Sequence, residues 1–317
     1  MTSLLQPLSG GYSGAELYRI VLPDHARVAA VQFPYLDLSR LAAGNYCLKI
    51  RHLHTHDESP RRIPAICAVY ESLGIPSLHL FQAGPTPDGR YYSLYQYIDG
   101  ENFELAGEKL PAAENYRVGV QVGTWLRQLK DAPIPAILAD ASPDFDQLTA
   151  EARERYSLLR SNATAEQLLL EFFAPDLLDS IPARLDQTRT AFYGLEPRLI
   201  HGDIKRSNLI YDPSGRVWLI DIEAMRPSYD FYNFRYQMTW MLSDASATKP
   251  EFNRGLFDGL YHNSRPARFQ DQLVYTLLFN FLEFSTKHLA DLDELQAFFR
   301  RLQPVLPLAL SSVEPIV

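Results

Sequence analysis

Apolar and polar positions are arranged differently in the two parts of this chain. Over the first hundred residues the apolar positions fall in short runs, Tyr18–Leu22, Ala26–Phe33 and Tyr46–Ile50, separated by Gly, Pro and Asp. Such runs predict strands. Ala65–Leu73, closed by Gly74 and then Pro76, predicts a helix. Two more strands are expected over Leu78–Gln82 and Tyr91–Ile98, joined across the turn-rich PTPDG. After Gly100 the period changes. Val118, Val122, Leu126 and Leu129 recur at helical spacing, as do apolar positions over 145–161, 163–173, 177–192, 251–262, 269–289 and 292–302. Within this half only 199–221 reads as β. The pattern predicts an α+β protein with a small β-rich lobe, 1–98, and a larger, mainly helical lobe, 99–317. A cleft between two lobes is a common place for a ligand.

The length, 317 residues, suits two domains. A net charge of -8 argues against a nucleic-acid binder and is compatible with a cationic substrate. Cys47 and Cys67 make neither a disulfide framework nor a zinc pattern, and read as core thiols in a reducing compartment. The greasiest run, Leu273–Phe284, is too short to span a bilayer and contains Asn280 and Glu283. MTSLLQPLSGG lacks the pattern of a signal peptide. The expectation is a soluble cytoplasmic protein that binds neither nucleic acid nor membrane.

Candidate chemistry is concentrated in IHGDIKRSNLIYDPSGRVWLIDIE, residues 200 to 223. Two short β runs flank Pro213-Ser214-Gly215, where Pro presets φ and Gly supplies the positive φ that ends a turn. A hairpin brings Asn208, entering the first strand, and Asp221, leaving the second, to the same end of a ribbon. Asp203 lies on the loop just ahead. Asp221 and Asn208 can offer the oxygen ligands that a hard divalent cation prefers, with the rest taken from phosphates. Asp203 is placed to accept the proton of an attacking hydroxyl. Together they suit phosphoryl transfer.

The run His201-Gly202-Asp203, then Asn208, then Ile220-Asp221 followed by Glu223, resembles the catalytic core of the aminoglycoside phosphotransferase and choline kinase-like family. Pro227-Ser228-Tyr229-Asp230 is similar to that family's Pro-x-Tyr-Asp element. The resemblance implies a protein-kinase-like two-lobed fold. It also implies Asp203 as catalytic base, Asn208 and Asp221 as magnesium ligands, and Asp230 as a brace for the catalytic loop.

A kinase makes further demands on the sequence. Gly10, Gly11, Ser13 and Gly14 offer a glycine-rich turn over phosphates. Lys49, the single cation of YCLKI, is the candidate phosphate lysine. Backbone groups of Gln96, Tyr97 and Ile98 are expected to read the adenine edge. Lys205, two residues past the base, can steady the transferred phosphoryl group or lie in solvent. The sequence departs from the family where a helix glutamate should hold the lysine, near Ile63 or Pro64. The nearest acids are Glu58, which is preferred, and Glu71. Lys130 stands where many relatives carry His.

Three other features carry simpler readings. HLHTHDE, with His52, His54 and His56 at alternate positions, reads as a loop rather than a metal clip. Tyr229, Tyr232, Tyr236 and Trp240 share a helical face that packing explains, although an aromatic wall could hold a quaternary ammonium. Asp291, Asp293 and Glu294 suit a helix start. The expected protein is an ATP- and Mg2+-dependent kinase acting on a small-molecule hydroxyl. A nucleotide-binding regulator and, more distantly, a metal-dependent phosphohydrolase are the alternatives.

Overall fold

The structure is a computed structural model that describes residues 5–8, 15–22, 35–37, 41–52, 59–139, 144–229, 249–262 and 267–311. In chain order its elements begin β1 (Leu5–Pro7), β2 (Glu16–Leu22), β3 (Gly44–Arg51), α1 (Ser59–Ser72), β4 (Leu80–Pro85), β5 (Tyr91–Gln96), β6 (Glu101–Asn102), α2 (Phe103–Lys109) and α3 (Ala112–Asp131). They continue with α4 (Phe145–Ser161), α5 (Ala163–Phe172), α6 (Pro175–Asp179), α7 (Ile181–Arg189), β7 (Arg198–Ile200), β8 (Leu209–Tyr211), β9 (Val217–Leu219) and β10 (Arg226–Ser228). The last helices are α8 (Lys249–Tyr261), α9 (Phe269–Lys287), α10 (Leu292–Leu302) and α11 (Leu306–Ser311). The architecture is α+β, as the pattern predicts. The strand expected over Ala26–Phe33 lies outside the described residues.

Backbone contacts divide the chain into two compact units, Met1–Ala106 with Arg206–Ala224, and Gly107–Lys205 with Met225–Val317. The first unit thus runs past the boundary expected at 98–100 and also takes in the hairpin segment.

The first unit is built on an antiparallel sheet of order β1-β2-β3-β5-β4. Side chains alternate between the two faces of a strand. Tyr46, Leu48 and Ile50 of β3 join Ile20, Leu22, Tyr92 and Leu94 in one apolar cluster, and Cys47 and Lys49 therefore point to the other face. Pairing of β3 with β5 sets Cys47 opposite Tyr95 and Lys49 opposite Ser93. Lys49 lies on a central strand, not an edge. Helix α1 starts at Ser59, ahead of the expected Ala65, and runs through Pro64. Its inward positions Ile63, Ile66, Cys67 and Tyr70 are buried.

The hairpin β8–β9 belongs to the same unit, with β6 on its outer edge. Gly215 takes φ +82° in the turn. The Asp212 carboxylate clamps that turn, accepting from the Ser214 hydroxyl and amide, the Arg216 amide and the Trp218 indole N–H. Those bonds, the Ser214 hydroxyl foremost, hold the Asp212 carboxyl down to about 2. The ribbon is docked by the Leu219 amide, which donates to the Pro76 carbonyl at 2.8 Å.

In the second unit, α3 and α8 pack glycine against backbone. A Cβ at Gly119 would meet the Phe252 carbonyl oxygen at 2.1 Å, and one at Gly123 the Leu256 carbonyl oxygen at 2.1 Å. From the other side, Gly255 and Gly259 would meet the Tyr116 and Val120 carbonyl oxygens at 2.2 Å each. No other residue permits this separation. Helix α3 also packs on β7, which pairs with β10. A second core, with Phe145, Leu185, Phe192, Tyr275 and Phe299, gathers α4, α7, α9 and α10. Among the described residues no helix is long and apolar enough to cross a membrane.

Two outcomes follow. Gly123→Ala must push α3 and α8 apart, and overpacking of this kind typically costs about 1–3 kcal/mol. Thermal unfolding should fall by several degrees, and an unchanged melting temperature would mean that the helices do not approach this closely. Asp212→Ala should speed hydrogen exchange at 209–219 while leaving α9 unaffected. Because the Asp212 carboxyl is depressed in the fold, its contribution is present above the ordinary carboxylate range and fades as pH falls toward about 2. Exchange in the variant that matches wild type at neutral pH would show that the clamp is idle.

Candidate active site

Lys49 and two acids distant in sequence form the polar centre of the first unit. Its ammonium lies 2.7 Å from Asp221 Oδ1 and 3.0 Å from Glu223 Oε1. The lysine side chain is 15% exposed, and burying an unpaired ammonium is expensive. Burial draws the Lys49 pKa down, but Glu223 and then Asp221 more than offset it, leaving the group above its ordinary value. The Tyr95 hydroxyl donates to Glu223 Oε1 at 3.2 Å. Tyr70 and Tyr95 are both shut in, and burial raises both phenols well above the usual range. Burial likewise pushes the Cys67 thiol up to about 12 and the Cys47 thiol to about 11, although Lys49 pulls the latter down.

Among the described residues the lysine is paired with neither of the two expected glutamates. Glu71 is turned away, its Oε1 lying 2.6 Å from His79 Nδ1, and Glu58 lies outside the described residues. The glutamate beside the lysine among the described residues is Glu223, on the 3-10 turn Ile222–Ala224 that packs against α1. The sequence offered one signal for it, the acid two residues after Asp221, but not its pairing with Lys49.

The hairpin delivers Asn208 and Asp221 to one end of the ribbon. Asn208 closes the 3-10 turn Arg206–Asn208, and its carbonyl accepts from the Ile220 amide at 2.9 Å. Asp221 follows Ile220 with φ +58°. Asp is one of the few residues that adopt this left-handed conformation, and such positions concentrate at functional sites. The turn before Asn208 is itself fixed. Arg206 is buried, with its guanidinium 5.4 Å over the Phe103 ring and donating to the Phe103 carbonyl at 3.5 Å. The Asn102 amide donates to the Ser207 carbonyl.

His201, Gly202, Asp203 and Lys205 belong to the second unit. Gly202 turns the backbone with φ +84°. The Asp203 amide donates to Nδ1 of the fully buried His201 at 3.3 Å, so Nδ1 is the acceptor nitrogen and the ring proton sits on Nε2. Asp203 is partly exposed, and the Lys205 ammonium lies 2.8 Å from its Oδ2.

Of the expected adenine-reading residues, two amides are already committed. Gln96 donates to the His79 carbonyl at 2.9 Å and Tyr97 to the Asn45 carbonyl at 3.3 Å. The amide of Ile98 has no backbone acceptor among the described residues. The Tyr97 ring lies 4.5 Å from the Arg19 guanidinium. Gly10, Gly11, Ser13, Gly14, His54, His56, Asp230, Tyr232, Tyr236 and Trp240 lie outside the described residues. Lys130 sits 5.3 Å over the Tyr261 ring, and Asp291 caps α10 by accepting from the Glu294 amide.

No group of three His, Cys, Asp or Glu side chains among the described residues could hold a metal ion. The donors at the ribbon end are instead one carboxylate, Asp221, and one amide, Asn208. Hard oxygen donors that are too few to cage an ion fit magnesium, which takes its remaining ligands from phosphate and water.

Solved structures of similar fold cover nearly the whole chain. The GDP and kanamycin complex of APH(2″)-IIIa aligns with a TM-score of 0.64 and 14% identity, covering 98% of this chain and 94% of that one. Spectinomycin phosphotransferase APH(9)-Ia with ADP and spectinomycin aligns at 0.61 and 13%, covering 97% and 92%. ADP-bound aminoglycoside phosphotransferase APH(2″)-Ib aligns at 0.59 and 14%, covering 94% and 93%. No curated protein matches the sequence. The sequence profile of the phosphotransferase enzyme family matches residues 37–269, and the chain belongs to that family.

Proposed function

We propose that this phosphotransferase passes the γ-phosphate of ATP, taken as its magnesium complex, to a hydroxyl of a small molecule. The observation that carries the reading is the Lys49 ammonium, held on a central strand against Asp221 at 2.7 Å. An ammonium has three N–H donors. Among the described residues Asp221 and Glu223 take two, and the third is offered to a phosphate oxygen. The Ile98 amide reads the adenine edge. By residue type, Gly11, Ser13 and Gly14 are suited to offer backbone amides to the phosphates. Solved structures of similar fold are complexes with ADP and spectinomycin or with GDP and kanamycin, which supports a nucleotide donor and a polyhydroxylated acceptor. The acidic balance of the chain favours an acceptor that is also cationic.

Asn208 and Asp221 would hold magnesium, which when bound neutralises charge on the transferring phosphoryl group. Asp203 accepts the proton of the attacking hydroxyl, a role typically worth roughly 10²–10⁴ in rate. Lys205, already beside Asp203, then accompanies the transferred phosphoryl group. Two free thiols and a need for ATP suit the cytoplasm.

Turnover with a panel of aminoglycosides, aminocyclitols and amino-alcohols tests the reading directly. Asp203→Asn should lower kcat about 10²–10⁴-fold while leaving the Kd for ATP nearly unchanged; transfer at the wild-type rate removes Asp203 as base. Asp221→Asn should raise the magnesium concentration needed for half-maximal rate. If the metal dependence of that variant overlays wild type, Asp221 is not a metal ligand.

A further inference from the structure

A strand lysine that binds ATP phosphates must be kept in place, and protein kinases do this with a glutamate on the neighbouring helix. Here α1 contains one acid, Glu71, which is half exposed and paired with His79. The inward positions of α1 are Ile63, Ile66, Cys67 and Tyr70. No carboxylate from α1 reaches Lys49.

Two acids on one short stretch take its place, and their surroundings differ. The Asp221 side chain is 39% exposed and that of Glu223 only 7%. Asp221 is therefore open to an incoming cation, whereas Glu223 is closed off. A divalent ion on Asp221 would compete with the Lys49 ammonium for its charge. Glu223 is then the carboxylate that stays with the lysine. Its Oε1 is fixed from both sides, by Lys49 Nζ at 3.0 Å and by the Tyr95 hydroxyl at 3.2 Å. Its Oε2 is buried without a hydrogen-bond donor among the described residues, so the carboxylate keeps spare acceptor capacity for the ammonium. Tyr95 faces this spot because it pairs with Cys47, two residues before Lys49 on the same face of β3.

We propose that Glu223, steadied by Tyr95, is the positioning residue for Lys49, supplying from the 222–224 turn what a helix glutamate supplies in protein kinases. The inference rests on the kinase reading for its purpose, though not for its geometry. Lysine placement is thereby tied to the stretch that carries Asp221, rather than to an acid on α1.

Glu223→Gln keeps the shape and removes the charge. The test follows acylation of Lys49 by an N-hydroxysuccinimide ester at pH 8, read by mass spectrometry on the folded protein, beside ADP binding by calorimetry without metal. The reagent must reach the amine, and a lysine no longer gripped by the Glu223 carboxylate is freer to meet it. Labelling of Lys49 should quicken on the order of tenfold, the worth of one charge-assisted hydrogen bond, and ADP should bind more weakly. Any residual activity should show a raised KM for ATP, and Glu223→Asp should recover part of each effect. Tyr95→Phe, which leaves the charge in place, should move labelling and ADP binding in the same direction by a smaller factor, and it decides the matter if Glu223→Gln does not fold. Unchanged labelling and unchanged ADP affinity in a folded Glu223→Gln, or in Tyr95→Phe where that variant decides, overturn the proposal whatever the activity. If wild type phosphorylates no acceptor while Glu223→Gln still shows faster labelling and weaker ADP binding, the kinase reading fails and the positioning role stands.

Discussion

An ammonium set into a central β-strand imposes a demand that local sequence cannot meet. Lys49 lies in β3, flanked in the chain by Leu48 and Ile50 and with strands on both sides. Its charge is tolerable there only with carboxylates at hand. These come from Asp221 and Glu223, more than 170 positions away in the chain. The pairing ties the hairpin segment to the sheet and groups 206–224 with 1–106. The Leu219 amide on the Pro76 carbonyl and the bridge from Ser77 to Leu219 fasten the same segment through backbone. Charge compensation and backbone docking thus act on one short ribbon. That ribbon also carries the two oxygen donors suited to a cation.

The second unit meets a different constraint, one of steric approach. Four glycines on α3 and α8 let backbone meet backbone where any side chain would collide. Close packing of this kind leaves little room for relaxation. Helix α3 then supports β7, the strand that runs directly into His201, Gly202 and Asp203. The loop bearing the candidate base therefore leaves a strand backed by a tightly packed helix pair. Its own geometry is set locally by the positive φ of Gly202 and by the buried His201 ring. Each unit thus fixes its own candidate site groups by a separate physical means.

Much of this was legible in the residues. The hairpin follows from Pro213, Ser214 and Gly215 between two apolar runs, and its two ends had to meet. Asn208 and Asp221 could be placed together for that reason alone. The helices of the second unit were visible in their apolar period, and α10 begins and ends where that period does. The start of α1 was hidden because a proline inside a helix is disfavoured, yet the helix runs through Pro64. The commitment of the Gln96 and Tyr97 amides was also hidden, since backbone partners leave no trace in side-chain identity. The glycine spacing of α3 and α8 was present in the sequence. A glycine in a helix, however, declares a cost in propensity and not which surface it lies against.

The sequence by itself determined the chemistry-bearing groups, the hairpin that joins two of them and the mainly helical texture of the longer part. Those features depend on turn preference, period and residue type, all of which act over a few positions. The tertiary structure decided which acid answers Lys49. An ion pair is set by distance in space, and neither Glu71, the nearby acid, nor the expected helix position marks the residue that approaches. Only the folding of the 222–224 turn against α1 brings Glu223 to 3.0 Å from that ammonium.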